Sequence, residues 1–468
     1  MSAYFIKQAD LEDAQAVIAV HICRPDGLDA FLEKLSEPQK KYVIAHGFKA
    51  SAGQTVLVPD VRGDVACVAF GAGVENGFAN SELQVGVLGQ NLGEGFYRIA
   101  SAPANWSTPL TATAWGMGAY KFSKYLKKNP TPPTLILTDD MEADETWAIV
   151  RALHNGRDYI NTPAGDMGPV ALHGAAQDLA DRFGASLTAI VGDDLLSENY
   201  PMIHAVGRAA HEAPRLVELV WGDASAPHLA LVGKGITFDT GGLNMKGPAG
   251  MRIMKKDMGG AAHVLALAEM IMAAGLPVRL HAFLAIAENA VSADAFRPGD
   301  VLSSRKGLTV EIDNTDAEGR LVLGDALTRA SEGKPDLLID FATLTGAARV
   351  ALGPTLAPFF SNREAPVASL LKSGDTHADP FWHMPLWAPY MSLLKSPIAD
   401  MKNAGSGFAG AVTAALFLQK FAGEQPWMHF DVYGWNPTAS AAHPQGGEIM
   451  TARAVFHWLK DGGLEKLS

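Results

Sequence analysis

The densest group of reactive side chains in the chain is the segment Asn314-Thr-Asp-Ala-Glu-Gly-Arg-Leu321, which holds two carboxylates and a guanidinium within five positions. Asp316 and Glu318 are residues of the type that ligate divalent cations. A structural interpretation is also open, in which Asp316 caps a helix, Glu318 favours its first turn and Arg320 pairs with either acid. Packing alone does not readily account for so much charge in so short a segment.

A second cluster follows the apolar run Leu229–Val232, in a glycine-rich segment that we expect to form a loop. It contains Lys234, Asp239, Lys246 and Asp257. Taken one at a time, these residues have ordinary explanations: Asp239 as a turn former, Asp257 as a helix cap and Lys234 as a solvated charge. Taken together with the first cluster, they indicate a charged pocket.

Both clusters follow predicted strands, so they should converge at one edge of a sheet if those strands lie close together. Three aspartates and a glutamate in one pocket cannot all stay ionised without positive charge, because like carboxylates raise one another's pKa. A divalent metal is the simplest source of that charge. Oxygen ligands alone would suit Mg, Ca or Mn, whereas an added lysine amine, which ligates only when neutral, suits Zn or Mn better.

The elements that must position these residues alternate between strands and helices. Alternating polarity over 307–313 predicts a strand, and helical spacing from Arg320 to Ala330 predicts a helix that ends at Gly333 and Pro335. The other predicted elements of this region are a helix over 260–274, strands over 278–285 and 337–341, a helix over 409–421 and a strand over 429–433. This alternation predicts a mixed sheet covered by helices.

The whole chain is therefore predicted to be an α/β protein with three parts. Residues 1–139 form a small N-terminal α/β domain for assembly or regulation, with strands over 55–58, 64–70 and 135–137 and a helix that starts near Ser107. Residues 140–163 form a linker helix whose start is crowded with acidic residues. Residues 164–468 form the larger catalytic domain, with the mixed sheet and its covering helices.

Composition narrows the classes of partner. The 468 residues carry a formal net charge of -12 and the pI is about 5.6, so the average surface repels phosphate backbones and anionic lipid. The two cysteines, Cys23 and Cys67, are too few for a disulfide framework and lack metal-binding spacing. No apolar run of about 18 residues occurs. We expect a cytoplasmic enzyme that binds neither nucleic acid nor membrane.

Several segments resemble the leucyl aminopeptidase (cytosol aminopeptidase) family. They are Val232–Asp239, Asp257–Ala262, Asn314–Leu321, Ala342–Gly346, Asp400–Asn403 and His429–Asp431. The match extends from about Asn161 to the end of the chain, and the octapeptide is its most specific part. The N-terminal region matches only in general size and character.

The resemblance implies two divalent metal ions, Zn or Mn, in one pocket. Asp239, Asp316 and Glu318 would hold one ion, with help from the Asp316 backbone carbonyl. Lys234, Asp239, Asp257 and Glu318 would hold the other. It also implies a homohexamer that cleaves peptides with a free N-terminus, because one ion takes the substrate's α-amine.

The same resemblance assigns two catalytic residues that are not ligands. Paired metals lower the pKa of a shared water and clamp the substrate carbonyl. Lys246 would stabilise the oxyanion of the tetrahedral intermediate. Arg320 would hold a bicarbonate ion that acts as the general base.

The predicted pocket for the substrate's first side chain differs from the one that is usual in the family. The residues assigned to its wall are Met254, Thr343, Leu344 and Gly346. Tyr433 and Trp435 stand where the family usually has smaller residues. Either both rings pack beneath the sheet, or the pocket is narrower or reshaped. A preference for leucine therefore does not follow from the family alone.

Rival functions find less support in the sequence. A two-metal phosphatase would usually bring histidine ligands or a phosphate-binding loop, and a serine hydrolase would need a Gly-x-Ser-x-Gly turn. The His-x-Asp pairs at 377–379 and 429–431 lie outside the carboxylate segments, and His263 is interpreted as a packing residue. A non-enzymatic role in DNA binding or in assembly is a further alternative. The negative net charge of the chain disfavours DNA binding.

Overall fold

The structure is a computed structural model that describes residues 4–12, 15–74, 81–127, 131–138, 143–405 and 407–467. The chain divides into two compact units, residues 1–154 with 438–445 and residues 155–437 with 446–468. Residues 139–142, where the predicted domain boundary and the start of the linker helix fall, lie outside the described residues. The helix that follows them, α5, is described from Ala143 to Asn161.

The first unit contains a six-stranded sheet in the order β1-β6-β5-β2-β4-β3, parallel except for the β3–β4 pair. Its strands are β1 Phe5–Lys7, β2 Val17–Cys23, β3 Thr55–Pro59, β4 Val65–Gly71, β5 Phe96–Ser101 and β6 Thr134–Leu137. Its helices before α5 are α1 Leu28–Leu32, α2 Glu37–Ala45, α3 Gly86–Asn91 and α4 Thr108–Ala119. As predicted, α4 starts near Ser107, which is its N-cap residue and whose hydroxyl accepts the Leu110 N–H at 3.4 Å.

The second unit is built on an eight-stranded mixed sheet in the order β15-β14-β17-β13-β9-β10-β8-β7. Those strands are β7 Ser186–Val191, β8 Arg215–Trp221, β9 His228–Asp239, β10 Arg279–Asn289, β13 Leu337–Ala342, β14 Ala357–Ser361, β15 Phe381–His383 and β17 Trp427–Asp431. The central strands β10, β9, β13 and β17 run parallel to one another. This confirms the predicted mixed sheet.

Helices cover that sheet, as the alternating pattern predicts. They are α6 Pro169–Phe183, α7 Asp194–Ser197, α8 Pro201–Gly207, α9 Pro248–Met251, α10 Gly259–Ala273, α11 Gly319–Glu332, α12 Gly346–Leu352, α13 Val367–Thr376, α14 Gly410–Gln419 and α15 Ala452–Lys460. The helix α10 is buried from Gly259 to Met272, which explains why its sequence is apolar on every face. Among the described helices, none has the length and apolarity to cross a bilayer.

The predicted loop after residue 232 is wrong, because β9 continues without interruption to Asp239. Its glycines serve close packing rather than a turn. A Cβ on Gly233 would lie 2.7 Å from the Ala261 Cα in α10, closer than a side chain can approach. Lys234 therefore sits inside a central strand, where we had expected a loop.

The topological argument for convergence is also wrong in detail. The predicted strand over 307–313 contributes only β12 Thr309–Glu311, which pairs with β11 Val301–Ser303 and β16 Met401–Lys402 in a separate small sheet. The octapeptide reaches the main sheet through α11, which starts at Gly319 and packs on β9 and β10. The helix, rather than a neighbouring strand, carries its carboxylates to Asp239.

A third correction concerns the chain after β17. That strand ends at Asp431, so the prediction that it continues to Tyr433 is wrong. Gly434 takes the left-handed conformation, with φ of 64°, and β18 Trp435–Asn436 then pairs with β19 Gly446–Gly447. The turn, and not sheet pairing, sets the direction of Tyr433.

Asp325, in the middle of α11, ties this helix to the elements around it. One carboxylate oxygen accepts the N–H groups of Met202 and Ile203, at 2.8 and 3.3 Å, and the other accepts the Arg305 N–H at 2.8 Å. The side chain is fully buried. It supplies acceptors for the first turn of α8, which has no side-chain cap of its own.

We predict that Asp325→Ala lowers the free energy of unfolding by about 3 kcal/mol or more, because it leaves buried backbone donors without acceptors. Urea denaturation followed by tryptophan fluorescence measures the change. The matched control is Asp178→Ala, an exposed aspartate within α6, which should change stability by less than about 0.5 kcal/mol. Equal stability of the two variants would contradict the anchoring role of Asp325.

Candidate active site

Asp239 ends β9 and is held in a fixed orientation. Its Oδ1 accepts the Gly241 N–H and the Asn289 amide, both at 2.8 Å, and its Oδ2 lies 2.7 Å from Lys246 Nζ. Although burial opposes its charge, Lys246 and Lys234 lower the pKa of this carboxyl. Asp239 is therefore an ionised, oriented ligand group at the end of the strand.

The octapeptide is fastened by polar residues on both sides. Asn403 accepts the Asp313 N–H at 2.8 Å through its side-chain oxygen and donates to the Asn314 carbonyl at 2.7 Å. Thr315 donates its hydroxyl to the Gly241 carbonyl at 2.7 Å. These bonds join the segment to the turn that follows β9 and fix the direction of the next side chains.

The structure brings three predicted ligands together. One oxygen each from Asp239, Asp316 and Glu318 lie within 4.8 Å of one another. Burial, and then the neighbouring Asp239 carboxylate, raise the pKa of Asp316 to about 6 and that of Glu318 to about 8. The three acids thus repel one another strongly enough to oppose their joint ionisation.

Lys234 joins the other predicted ligands to this group. Its buried ammonium lies 2.7 Å from Asp257 Oδ2 and 3.0 Å from Glu318 Oε1, and it donates to the Thr343 carbonyl at 2.9 Å. Burial opposes the charge, but Asp257 and Glu318 outweigh it and raise the pKa of Lys234. A Cβ on Gly319 would lie 2.7 Å from Lys234 Nζ, so the lysine occupies space that only glycine leaves free.

The two predicted catalytic residues flank the same carboxylates. The Lys246 ammonium contacts both Asp239 and Asp316, and these acids, with Glu318, overcome the effect of burial and raise its pKa. Arg320 is buried, donates to the Asn403 carbonyl at 2.7 Å, and has its pKa lowered to about 10 by burial. Its buried Nε has no hydrogen-bond partner within the described part of the chain.

The donor set fits a divalent cation. Glu318 Oε2 is buried and has no hydrogen-bond partner among the described residues, so it has an unused lone pair at the centre of the cluster. Carboxylate oxygens with a lysine nitrogen beside them match the ligand preferences of Zn and Mn. The metal site expected from the sequence therefore has its residues assembled.

Two of the residues assigned to the side-chain pocket, Met254 and Thr343, lie next to Asp257. Thr343 donates its hydroxyl to the Asp257 carboxylate at 2.8 Å, and Met254 begins the 3-10 turn that contains Asp257. The Leu344 N–H donates to Asp431 at 3.0 Å. Gly346 starts α12 and has open space where a Cβ would be.

Tyr433 and Trp435 are half-buried, so neither ring is enclosed beneath the sheet. The Tyr433 hydroxyl accepts a hydrogen bond from Arg349 at 2.9 Å, and Lys256 Nζ lies 4.9 Å from the ring centroid. Trp435 has Lys255 Nζ 5.7 Å from its ring. Both rings are thus covered by cations.

Two histidines outside the carboxylate segments, His263 and His429, have structural roles. His263 is buried between the Gly259 carbonyl, at 2.6 Å, and the Met450 N–H, at 2.9 Å, as its interpretation as a packing residue requires. His429 pairs with buried Asp340 at 2.6 Å. Asp379 accepts the N–H groups at the start of α15 and so acts as its cap.

Sequence reasoning missed four residues that shape the site: Asn289, Thr315, Gly319 and Lys256. Asn289 could have been noticed, because it follows the predicted strand over 278–285 at the edge where ligands were expected. Lys256 was visible beside Asp257 but has no recognisable spacing. The roles of Thr315 and Gly319 depend on packing between distant segments, which no local pattern reveals.

Comparison with known proteins shows which family the chain is similar to. Residues 155–456 match the family model described as the cytosol aminopeptidase family, catalytic domain, and residues 18–138 match the M17 aminopeptidase N-terminal domain. A probable cytosol aminopeptidase of Syntrophotalea carbinolica is 40% identical over 77% of this chain and 76% of its own length. One from Shewanella oneidensis, probable cytosol aminopeptidase 1, is 35% identical over 92% of this chain and 90% of its own.

Solved structures extend the likeness to the fold. The cytosol aminopeptidase of Coxiella burnetii superposes with a TM-score of 0.91, at 41% identity over 98% of this chain and 99% of its own. The bottromycin maturation enzyme BotP, solved in complex with Mn, gives a TM-score of 0.87 at 31% identity, over 96% of this chain and 100% of its own. The family predicted from the motifs is confirmed: the chain belongs to the cytosol aminopeptidase family of metal-dependent peptidases, which remove residues from peptide N-termini.

Proposed function

We propose that the chain is a two-metal aminopeptidase that hydrolyses the first peptide bond of substrates with a free N-terminus. The observation that supports this best is the convergence of Asp239, Asp316 and Glu318 within 4.8 Å, with Lys234 and Asp257 alongside. Such a set has more negative charge than its lysines balance. It is suited to binding cations and offers no nucleophilic serine or cysteine.

The proposed ligands divide into two overlapping sets. Asp239, Asp316 and Glu318 would hold one ion, and Lys234, Asp239, Asp257 and Glu318 the other. We propose Zn or Mn, since the set mixes oxygen with a lysine nitrogen. Bound divalent ions supply Lewis-acid activation of a water and of the scissile carbonyl.

The chain's own cations would perform the remaining steps. Lys246, whose raised pKa keeps it protonated at neutral pH, would donate hydrogen bonds to the oxyanion of the tetrahedral intermediate. The buried Arg320 guanidinium, whose Nε has no partner among the described residues, would hold a bicarbonate ion, which would supply a general base for the attacking water. Asn403 fixes Arg320 through its carbonyl.

The decisive experiment for this function uses the metal-loaded enzyme and a leucyl peptide with and without an N-acetyl group. We expect hydrolysis of the free peptide and a loss of at least about a hundredfold in kcat/KM for the blocked one, because a blocked amine cannot ligate. Product release measured by chromatography gives both rates. Similar rates for the two peptides would refute aminopeptidase action.

A second experiment separates catalytic residues from ligands. Lys246→Ala and Arg320→Ala should lower kcat by roughly a hundredfold to a thousandfold, while bound metal is retained. Asp257→Ala should instead lose metal, because it removes a ligand oxygen. Metal content by mass spectrometry and turnover of the leucyl peptide are measured on all three variants.

Two matched controls lie outside the site: the exposed residues Lys372 and Asp294. Lys372→Ala and Asp294→Ala should keep both turnover and metal. Full turnover in Lys246→Ala would remove its catalytic role, and full metal content after dialysis of Asp257→Ala would remove its ligand role.

We further propose a cytoplasmic homohexamer in which the N-terminal domain, residues 1–139, contributes to assembly. Large apolar side chains at the surface of the second unit support association, since Val350 is 84% and Phe408 85% exposed. Sedimentation equilibrium should give a mass six times that of the 49.6 kDa chain. A monomer mass at micromolar concentration would exclude the hexamer.

A further inference from the structure

Lys256 is a buried cation that has no ion-pair partner among the described residues. The residue is only 6% exposed to solvent. Within the described residues its ammonium has no hydrogen bond and no carboxylate within 4 Å, and it lies 4.9 Å from the centroid of the Tyr433 ring. Burying a charge without a partner is costly, so this cation is expected to meet an anion that comes from outside the chain.

The two acids nearest in sequence or space are already engaged. Asp257 lies 2.7 Å from Lys234 Nζ. Asp431 accepts the hydroxyl of Thr345 at 2.6 Å as well as backbone N–H groups. Asp257 and Asp431 attract Lys256 at longer range, but neither carboxylate lies within 4 Å of its ammonium, so neither forms an ion pair with it.

Arg349 approaches the same ring from α12. Its guanidinium carbon lies 5.1 Å from the Tyr433 centroid, and it donates to the Tyr433 hydroxyl at 2.9 Å. In the described part of the chain Arg349 has no carboxylate within 4 Å. The hydroxyl accepts this bond and keeps its own proton for an acceptor, which none of the described residues supplies. Apart from the bond between Arg349 and Tyr433, the donors of Lys256, Tyr433 and Arg349 therefore have no acceptor among the described residues.

This donor group borders the metal site. Lys256 directly precedes the proposed ligand Asp257. Gly434, next to Tyr433, is so close to Thr343 that a Cβ on it would lie 3.1 Å from the threonine methyl. Thr343 in turn bonds to Asp257 at 2.8 Å. A substrate whose amine reached the ligands would have its first side chain in this neighbourhood.

We propose that Lys256, Tyr433 and Arg349 make the pocket for the first side chain selective for acidic residues, so that the enzyme prefers N-terminal Asp or Glu. The inference rests on the aminopeptidase function proposed above and specifies its substrate class. A side-chain carboxylate brings one negative charge and two acceptor oxygens. An amide of the same shape brings one acceptor and no charge, and a leucine brings neither.

The test compares substrates that differ only in that charge. Metal-loaded enzyme is assayed on the anilides of Glu and Gln, of Asp and Asn, and of Leu, and kcat/KM is measured for each. We expect the acid to exceed its amide by about tenfold or more, the size of one charged hydrogen bond. In Lys256→Met, which keeps the length of the side chain, the Glu to Gln ratio should fall by about tenfold.

A ratio of two substrates on one enzyme preparation cancels the fraction of active molecules. Partial misfolding or metal loss in a variant therefore does not imitate the effect. Lys255→Met is the matched control: this neighbouring lysine donates to the Asn161 carbonyl at 2.5 Å and should leave the ratio unchanged. If Lys256→Met does not fold, Arg349→Met changes an exposed residue, and the ratio should fall severalfold.

The outcomes separate this inference from the function on which it rests. No hydrolysis of any unblocked anilide would refute the aminopeptidase itself. Hydrolysis with acid and amide at equal rates, or with leucine preferred over both acids, would overturn the acidic preference and leave the aminopeptidase standing. A preference for acids that survives both Lys256→Met and Arg349→Met would overturn the assignment to these residues.

Discussion

The repulsion among four carboxylates, three of them buried and Asp316 partly exposed, is the constraint on which the rest of this site depends. Two like charges 4 Å apart repel by about 4 kcal/mol at the effective dielectric of a protein, so the group cannot stay ionised unaided. Each lysine lies between two of the acids: Lys246 between Asp239 and Asp316, and Lys234 between Asp257 and Glu318. Because a lysine lies between the acids of each pair, the carboxylates stay close enough together to bind metal. The two lysines balance only half of the charge of four ionised carboxylates.

The packing of the sheet against its helices makes this alternation of lysines and carboxylates possible. Lys234 can reach the acids from a central strand only because the strand has small residues on either side and α11 begins with Gly319, against which the lysine stem lies. Asn289 at the end of β10 and Asn403 beyond the small sheet then fix Asp239 and the octapeptide by neutral hydrogen bonds. Neutral donors orient the carboxylates without adding to the charge that the lysines and metal must balance.

Much of this could be predicted from the sequence, because charge density and periodicity are local. The helices α10, α11 and α14, the central strands and the ligand residue types all follow from patterns over a few positions. The failures are non-local. Gly233 and Gly235 were interpreted as a loop because nothing in the sequence shows that a helix packs against that strand. The octapeptide was attributed to a neighbouring strand, whereas its path to the site depends on how α11 packs on β9.

Charge balance also distinguishes the third lysine from the other two. If all four carboxylates are ionised, Lys234 and Lys246 leave the cluster with two negative charges, which is the condition that favours binding of a divalent ion. Two such ions, with Lys234 neutral as a ligand, would turn the same cluster net positive. In that state Lys256 cannot serve as a counter-charge to the ligand acids, because they are already overcompensated. A buried cation beside a positive cluster is then stabilised only by an anion from outside, and a substrate side chain is the anion that the adjoining pocket can admit.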